Sequence, residues 1–261
     1  MATESFFSNA SLAYLASAGA GKDGKTYSIK PTDGSGDFTF SRGSNLAATR
    51  VGADGLIEKG RENLFTYSND FSNASWIKSE TSVTSGQTGY DGGTDAWNLI
   101  PSLTDTNNHR LYKDYSSGGG VFTASVYAKA KGYDFLKFRN YSATLVFDVS
   151  TGNPTSGTIV GDEGSPIDAN IESVGDGWYR IDVVKDAASG NLRTLLFVQI
   201  DAANTSFAGD GTSGILIQDA QLEIGLAATD VIETGATTGK AGLLEDEPRF
   251  DYSGGATCPS L

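Results

Sequence analysis

The chain is poor in the residues that most catalytic and metal sites need, with one cysteine and one histidine among 261 residues. Cys258 has no second cysteine with which to form an intrachain disulfide or a cysteine-based metal site. A Cys–His dyad, a Ser-His-Asp triad and a histidine-bound zinc are each either excluded or dependent on His109 alone. His109 follows a polar stretch, Thr106 to Asn108, where we expect a solvated loop. The sequence therefore predicts no catalytic residues and a protein that is not an enzyme.

Long apolar runs and an excess of positive charge are also missing. The sequence has no run of about 18 apolar residues, the length that a membrane-spanning helix needs, so we expect no membrane insertion. The 19 Lys and Arg residues against 32 Asp and Glu residues give a net charge of −13. This balance argues against a nucleic-acid partner, which would require clustered positive charge. The first residues include Glu4 and no basic segment, so we expect no signal peptide and synthesis in a cytoplasm.

Turn-forming residues and short apolar patterns are abundant. The chain has 33 glycines but only 6 prolines, and its hydrophobic fraction of 38% is sufficient for a core. In the segments 121–130 and 133–141 apolar and polar residues alternate, and 192–200 and 214–224 add further strand signals. About eight such strands predict an all-β fold, an antiparallel β-sandwich of the jelly-roll type. We expect extended, poorly cored N- and C-terminal segments on either side of it.

The sequence divides into three segments. Residues 1–60 hold too little apolar material for a core and should need a partner surface, whereas 61–235 form the sandwich. Residues 236–261 begin as a linker rich in Thr, Gly and Ala and stop abruptly, so we expect the natural chain to run on into a further module. The phrases GLIE at 55–58 and GLLE at 242–245 nearly match. This arrangement suggests a small scaffold sequence into which a domain has been inserted.

Several phrases taken together resemble bacteriophage structural proteins of the fibre or appendage type. They are GDFTFSRGS at 36–44, ATRV at 48–51, DGLIE at 54–58, PRFDYSGG at 248–255 and CPSL at 258–261. The segment between them resembles the jelly rolls of carbohydrate-binding modules. That resemblance rests on NLFTYSNDF at 63–71, Trp76, GWYR at 177–180, DAQLEIG at 219–225 and Ala228-Thr229. The phrases cover nearly the whole chain, and they indicate the fold better than the ligand.

The resemblance implies a structural virion protein, a head or tail fibre that projects from the particle and binds host-surface glycans. Residues 1–60 would anchor it to other capsid or tail proteins. Fibres of this kind are usually homotrimers, so Phe38, Phe40, Leu56 and Ile57 would lie in subunit or virion contacts. Assembly would take place in the host cytoplasm, with the protein exposed on the particle surface. The alternatives are a capsid decoration or adaptor that binds no sugar and, less favoured, a glycan-depolymerising enzyme.

Sugar binding requires aromatic faces for stacking and polar groups for the hydroxyls. Alternation on two strands that we expect to be adjacent places one set of aromatic and basic side chains opposite the core. The set is Tyr127, Lys129, Phe135, Lys137, Arg139 and Tyr141. Such a face could hold acidic glycans, and cross-strand pairing on a solvated or subunit-facing sheet is the alternative. Trp97 is a further candidate platform with a core position as its alternative, whereas Trp76 and Trp178 are expected in the core.

No motif requires a cofactor, and a structural calcium ion is the one candidate. Related sandwiches often hold calcium between the first and last strands, and Asp70 and Asp219 occupy those places in this chain. Calcium prefers several oxygen ligands, which carboxylates supply. Asp91 and Asp95 belong to another oxygen-rich loop that lacks the spacing of an EF-hand. Solvated turn aspartates are the alternative interpretation.

Overall fold

The computed structural model describes residues 13–14, 21–22, 25–26, 28–33, 35–39, 49–51 and 57–241, apart from 106–108, 157–165 and 203–205. Every regular element in this part of the chain is a β-strand. No helix among these residues is long and apolar enough to cross a membrane. Contacts within the chain define two compact units, Met1–Glu62 with Lys240–Leu261, and Asn63–Gly239.

The first unit contains short antiparallel strands. They are β1 (Ala13–Tyr14), β2 (Gly21–Lys22), β3 (Lys25–Thr26), β4 (Ser28–Lys30), β5 (Phe38–Thr39), β6 (Thr49–Val51) and β7 (Ile57–Lys59). Strand β1 pairs with β4, β3 pairs with both β2 and β5, and β6 pairs with β7. Phe40 and Leu56 lie outside the described residues, and Phe38 and Ile57 are described only as strand backbone. Their role in subunit or virion contacts stays a prediction.

The second unit is an antiparallel sandwich of two six-stranded sheets, which confirms the all-β fold expected from the sequence. Its strands are β9 (Ile77–Ser79), β10 (Thr81–Gln87), β11 (Ala96–Pro101), β12 (Arg110–Ser117), β13 (Gly120–Lys131), β14 (Phe135–Asn140), β15 (Ala143–Asp148), β16 (Asn153–Ser156), β17 (Asp168–Gly175), β18 (Trp178–Ala187), β19 (Gly190–Gln199) and β20 (Gly214–Ile224). The first sheet has the order β10-β11-β20-β13-β18-β17, and the second has the order β16-β15-β14-β19-β12-β9. Before and after these sheets, β8 (Arg61–Asn63) and β21 (Gly239–Ala241) pair with each other.

The core lies between the two sheets and follows the alternation of the strands. On β13, Phe122 and Val126 face inward, and on β14, Leu136 and Phe138 do the same, each with 2% or less of its surface exposed. An aromatic group from the segment before β9 closes the core. It consists of Phe65, Phe71 and Trp76, with the two phenyl rings 5.4 and 5.0 Å from the indole ring. Each buried aromatic ring removes a large apolar area from water, so this group contributes strongly to the stability of the sandwich.

Asn63 connects this entry segment to the last sandwich strand. Its side chain is fully buried, and its Oδ1 accepts hydrogen bonds from the backbone N–H groups of Phe65 and Leu222, each at 3.1 Å. Its Nδ2 donates to the carbonyl oxygens of Ala220 at 3.3 Å and Ile232 at 2.9 Å. All four hydrogen-bonding positions of the amide are therefore satisfied, as a buried polar group requires.

Residues 226–234, here called the strap, cover part of the outer face of the first sheet. Two buried side chains of β20 hold it: Glu223 accepts a hydrogen bond from the Thr229 N–H at 2.9 Å, and Gln221 accepts one from the Ile232 N–H at 2.8 Å. Arg180 of β18 donates to the carbonyl oxygen of Thr229. The outer face of the first sheet is consequently occupied by the protein itself along its central strands.

His109 is not the solvated loop residue that the sequence predicted, because only 1% of its surface is exposed. Its Nδ1 lies 2.8 Å from the carbonyl oxygen of Glu80, and its Nε2 lies 2.7 Å from that of Phe207. A neutral imidazole can donate to one of these oxygens, whereas the imidazolium can donate to both. The polar neighbours in sequence were misleading because the ring is held by backbone groups more than 25 residues away.

Replacing His109 should destabilise the sandwich without changing its fold. His109→Leu would leave the buried Phe207 carbonyl oxygen without its partner, which costs about 1–3 kcal/mol, whereas the Glu80 carbonyl oxygen keeps the hydrogen bond from the Ser102 N–H. We expect the free energy of unfolding in urea to fall by that amount in His109→Leu. It should fall less in His109→Gln, which keeps an N–H donor. Equal unfolding free energies for His109→Leu and the wild type would contradict this role.

Candidate ligand-binding site

The predicted glycan face does not exist as one surface. Strand β13, with Tyr127 and Lys129, belongs to the first sheet, whereas β14, with Phe135 to Tyr141, belongs to the second. The expectation that these strands are adjacent is wrong because residues 132–134 cross between the sheets instead of forming a hairpin. Gly132 permits the crossing: its φ is +99°, and a Cβ there would lie 2.5 Å from the Cβ of Ser213.

The candidates on the first sheet have other partners. Tyr127 is 8% exposed and stacks on Tyr90, with ring centroids 3.8 Å apart and planes 8° from parallel. Lys129 donates from Nζ to the carbonyl oxygen of Asp176 at 2.5 Å. Trp97 is partly buried and packs against the main core, with its ring 6.3 Å from that of Phe71. Tyr127 and Trp97 therefore present no open aromatic face to a sugar.

The remaining candidates lie on the outer face of the second sheet, together with residues of β12 and β19 that the sequence analysis missed. Directly opposed residues of antiparallel strands share a face. On one side of β19, Phe197 is opposite Lys137 and Leu195 is opposite Arg139. On the other side of β19, Phe197 is opposite Arg110 and Leu195 is opposite Tyr112. We call this surface the basic face. Its members are Arg110, Tyr112, Asp114, Phe135, Lys137, Arg139, Tyr141, Asn191, Arg193, Leu195 and Phe197.

A groove of about 330 Å³ lies in the basic face. Its lining consists of Arg110, Asp114, Arg139, Tyr141, Asn191, Arg193 and Leu195. Leu195 is 3% exposed and provides an apolar contact, while the other lining residues are polar or aromatic. Three guanidinium groups and one carboxylate therefore surround this groove, although the chain as a whole has a net charge of −13. The local excess of positive charge makes the groove suited to a polar ligand with acceptor groups.

The arginine side chains are held in different ways. Arg193 donates to both carboxylate oxygens of Asp114, from Nε at 2.5 Å and from Nη2 at 2.8 Å, and this bond lowers the pKa of Asp114. The Arg193 guanidinium also lies 4.2 Å from the centre of the Tyr112 ring. Arg139 donates from Nε to the carbonyl oxygen of Tyr141 at 2.6 Å. In contrast, the buried Nε of Arg110 has no hydrogen-bond partner in the described part of the chain.

Lys137 lies beside the groove rather than in its lining. Its Nζ is 5.1 Å from the centre of the Phe197 ring, a distance typical of a cation–π contact. Burial, followed by repulsion from the neighbouring Arg139, lowers the pKa of Lys137. The basic face thus combines charged donors and aromatic rings on three neighbouring strands.

The residues that the sequence analysis missed had a weak signal. In β12 the outward residues Arg110, Tyr112 and Asp114 alternate with inward ones, among them Leu111. In β19 the almost continuous apolar run hid the alternation that turns Leu195 and Phe197 outward. Only the pairing of β19 with both β12 and β14 brings the two sets together.

A second groove, of about 330 Å³, is acidic and lies between the strap and the edge of the first sheet. Its lining includes Asp168, Glu172, Arg180 and Asp182. Burial raises the pKa of Asp182 to about 6, and Asp168 and Glu172 add to this effect while Arg180 opposes it. The groove brings carboxylates together, but no aromatic residue is among those that line it.

The two aspartates of the predicted calcium pair have different hydrogen-bond partners. The Oδ1 of Asp70 accepts hydrogen bonds from Ser72, and it is Asn69 that accepts from the Asp219 N–H at 3.2 Å. Asp219 is 5% exposed, and its Oδ1 has no hydrogen-bond partner among the described residues. Burial raises the pKa of Asp219 to about 6; the hydrogen bond that the Tyr90 hydroxyl donates to its Oδ2 at 3.0 Å opposes this, and Glu233, Asp95 and Asp91 add to it. The unpaired oxygen of Asp219 would suit a calcium ligand, and the hydrogen bonds of Asp70 involve its Oδ1.

In the part of the chain that the structure describes, no three His, Cys, Asp or Glu side chains are grouped so that they could hold a metal ion. Calcium binding therefore stays a prediction, with Asp70 and Asp219 as its carboxylate ligands and carbonyl or amide oxygens as further partners. We expect the unfolding temperature to rise when calcium replaces a chelator, and Asp219→Asn not to respond. Equal unfolding temperatures of the wild type in calcium and in chelator would refute the prediction.

No protein-family model matches the sequence, and no curated protein matches it. Among solved structures, the CBM22-1 and GH10 modules of a Clostridium thermocellum endo-1,4-β-D-xylanase, complexed with xylohexaose, match with a TM-score of 0.35 and 16% identity over 67% of this chain. The enzymatically active domain of bacteriophage CBA120 tailspike protein 4 matches with a TM-score of 0.34 and 15% identity over 61% of this chain.

A cleaved adhesin domain of Lys-gingipain from Porphyromonas gingivalis matches with a TM-score of 0.30 and 16% identity over 60% of this chain. The match covers 93% of the adhesin domain, but 30% of the xylanase chain and 21% of the tailspike chain. The chain is thus similar to part of each of the two larger proteins.

Proposed function

We propose that the second unit is a carbohydrate-binding module and that the groove of the basic face is its ligand site. The proposal rests on one observation: Arg110, Arg139 and Arg193 line the same groove. Leu195 and Tyr141 also belong to its lining. Guanidinium groups donate hydrogen bonds to sugar hydroxyls, and apolar or aromatic side chains pack on the C–H faces of the ring. A groove with a few polar groups around an apolar contact is the common form of such sites.

The difference between the two outer faces supports this choice. On the first sheet, the strap and the Tyr90 ring cover the central strands, as the contacts of Thr229 and Tyr127 indicate. On the second sheet, the Arg193 and Asp114 side chains are 45% and 43% exposed, so the groove is open to solvent within this unit. The second sheet therefore offers a ligand hydrogen-bond donors that are open to solvent.

The proposed role is binding without catalysis. A depolymerising enzyme, the less favoured alternative, would have to use two carboxylates across a cleft, as glycosidases do. Asp182 and Glu172 in the acidic groove are the residues available for it. The basic face offers only Asp114, which is already paired with Arg193.

We further propose that the chain is part of a bacteriophage fibre, exposed on the virion and attached to other phage proteins. The support is the set of phrases at 36–44, 48–51, 54–58, 248–255 and 258–261 that resemble such proteins. In this arrangement the first unit would serve as anchor and trimerisation segment, and the sandwich would contact host glycans. A capsid decoration or adaptor without sugar binding is the alternative from another class.

Binding of the labelled protein to host cells tests the glycan proposal. We expect periodate oxidation of the surface glycans to abolish binding, and Arg139→Ala and Arg193→Ala each to weaken it at least about tenfold, or 1.4 kcal/mol. Lys131→Ala, an exposed cation on the first sheet, is the matched control and should bind as the wild type does. Cell binding that survives both the oxidation and the substitutions would reject the basic face as a sugar site.

The oligomer proposal predicts different states for the full chain and the isolated sandwich. Light scattering should give a trimer for residues 1–261 and a folded monomer for residues 63–239, because the proposed subunit contacts lie in the first unit. Far-UV circular dichroism checks that the fragment is folded. A trimeric fragment, or a monomeric full chain, would contradict the proposal.

A further inference from the structure

The groove of the basic face contains a buried donor that its own protein leaves unused. The Nε of Arg110 is shielded from water and has no hydrogen-bond partner in the described part of the chain. A desolvated donor on a charged group is unfavourable unless an acceptor reaches it. Arg110 also lines the groove, so a rotation of its side chain that uncovers the Nε would let an acceptor on a bound ligand reach it.

Arg139 offers a second, oriented donor group. Its Nε bond to the Tyr141 carbonyl oxygen, at 2.6 Å, fixes the plane of the guanidinium. A guanidinium has five N–H donors, and within the described residues only this one is hydrogen-bonded. The terminal N–H groups are therefore available to a ligand, and their orientation is already set before the ligand arrives.

Arg193 plays a different part, since its charge is balanced. It forms two hydrogen bonds with the Asp114 carboxylate and lies over the Tyr112 ring. Of the four charged residues in the lining, Arg110 and Arg139 therefore carry the uncompensated charge. They lie on the two strands that flank β19, with Arg139 opposite Leu195 and Arg110 opposite Phe197. The groove has a net charge of about +2 at a site with an apolar contact in its centre.

We infer that the groove selects acidic sugars and seats the carboxylate of a uronic-acid-type residue between Arg110 and Arg139. The inference rests on the proposed sugar-binding function and specifies its ligand class. A planar carboxylate matches the fork of a guanidinium, and charge-assisted hydrogen bonds of this kind are about twice as strong as neutral ones. Tyr141, which lines the groove although it also packs against the core, then contacts the sugar ring, which a free inorganic anion lacks.

The negative net charge of the chain does not prevent this selection. At physiological salt the Debye length is about 8 Å. Salt therefore screens a ligand in the groove from the distant carboxylates, but not from the two arginines that it contacts. Further salt should weaken binding of an acidic glycan, because the attraction at the groove is itself electrostatic. A neutral glycan held only by hydrogen bonds and stacking should respond much less.

The test uses the full chain on an array in which each carboxylated glycan is paired with its carboxyl-reduced form. We expect binding to carboxylated members and at least about tenfold weaker binding to their reduced partners. Equal binding to both forms, or binding to neutral glycans alone, would overturn the acidic-sugar inference and leave the proposed sugar-binding function standing. If the folded protein binds no glycan, both ideas fail.

Substitutions then test whether the two arginines cause the preference for carboxylated glycans. Binding is measured with the carboxylated glycan that binds most tightly and with its carboxyl-reduced form. Arg110→Gln and Arg139→Gln should each weaken binding of the carboxylated form at least about tenfold while changing the reduced form little. Arg110→Lys keeps the charge but loses the guanidinium fork, so a partial loss is expected. Lys131→Gln on the first sheet is the control.

Urea unfolding of each variant separates a folding defect from lost recognition. A loss of preference for the carboxylated form in a variant of wild-type stability supports the inference. An unchanged preference in both Arg110→Gln and Arg139→Gln would overturn it, as would stronger binding of sulfated dextran than of any carboxylated glycan.

Discussion

The side chain of Asn63 links parts of the sandwich that are far apart in sequence. Its four hydrogen bonds join the entry segment at Phe65, the last strand at Ala220 and Leu222, and the strap at Ile232. Because the amide is fully buried, each bond replaces one that water would otherwise provide, and the loss of any partner would leave a desolvated polar group. The position of the aromatic group against the core and the path of the strap both depend on this connection.

The path of the strap determines which surface of the sandwich can meet a ligand. Once Ile232 is held by Asn63 and Gln221, the preceding residues run over the central strands of the first sheet. There, Tyr127, Trp178 and Leu216 form a small cluster of their own, outside the main core and packed with Val231. The aromatic residues of that face therefore serve the fold, and the open aromatic and basic residues are those of the second sheet.

The exposed charges of the basic face contribute little to stability, which agrees with the recognition role that we propose for them. An exposed pair such as Arg193 and Asp114 adds only about 0–1 kcal/mol to the stability of a protein. The pair holds the Arg193 guanidinium over the Tyr112 ring and balances its charge. The net positive charge of the groove is therefore that of Arg110 and Arg139. Positive charge concentrated on one sheet of an acidic protein is difficult to explain by folding, since water would solvate these groups equally well in the unfolded chain.

Composition and alternation by themselves determined the all-β class, the antiparallel sandwich and the inward faces of β13 and β14, because a side-chain period of two reports directly which residues a strand buries. They also placed Phe135, Lys137 and Arg139 correctly opposite the core. They could not determine which strands are neighbours: the three residues 132–134 suit a hairpin as well as a crossing, and the crossing is stabilised by contacts with Ser213 and Gly214. For the same reason His109 and Tyr127 were misjudged, since both are buried by segments distant in the sequence. The sequence thus determined which side of each strand faces the core, whereas only the tertiary structure decided that Arg110, Arg139 and Arg193 share a groove, because that depends on long-range strand pairing rather than on local pattern.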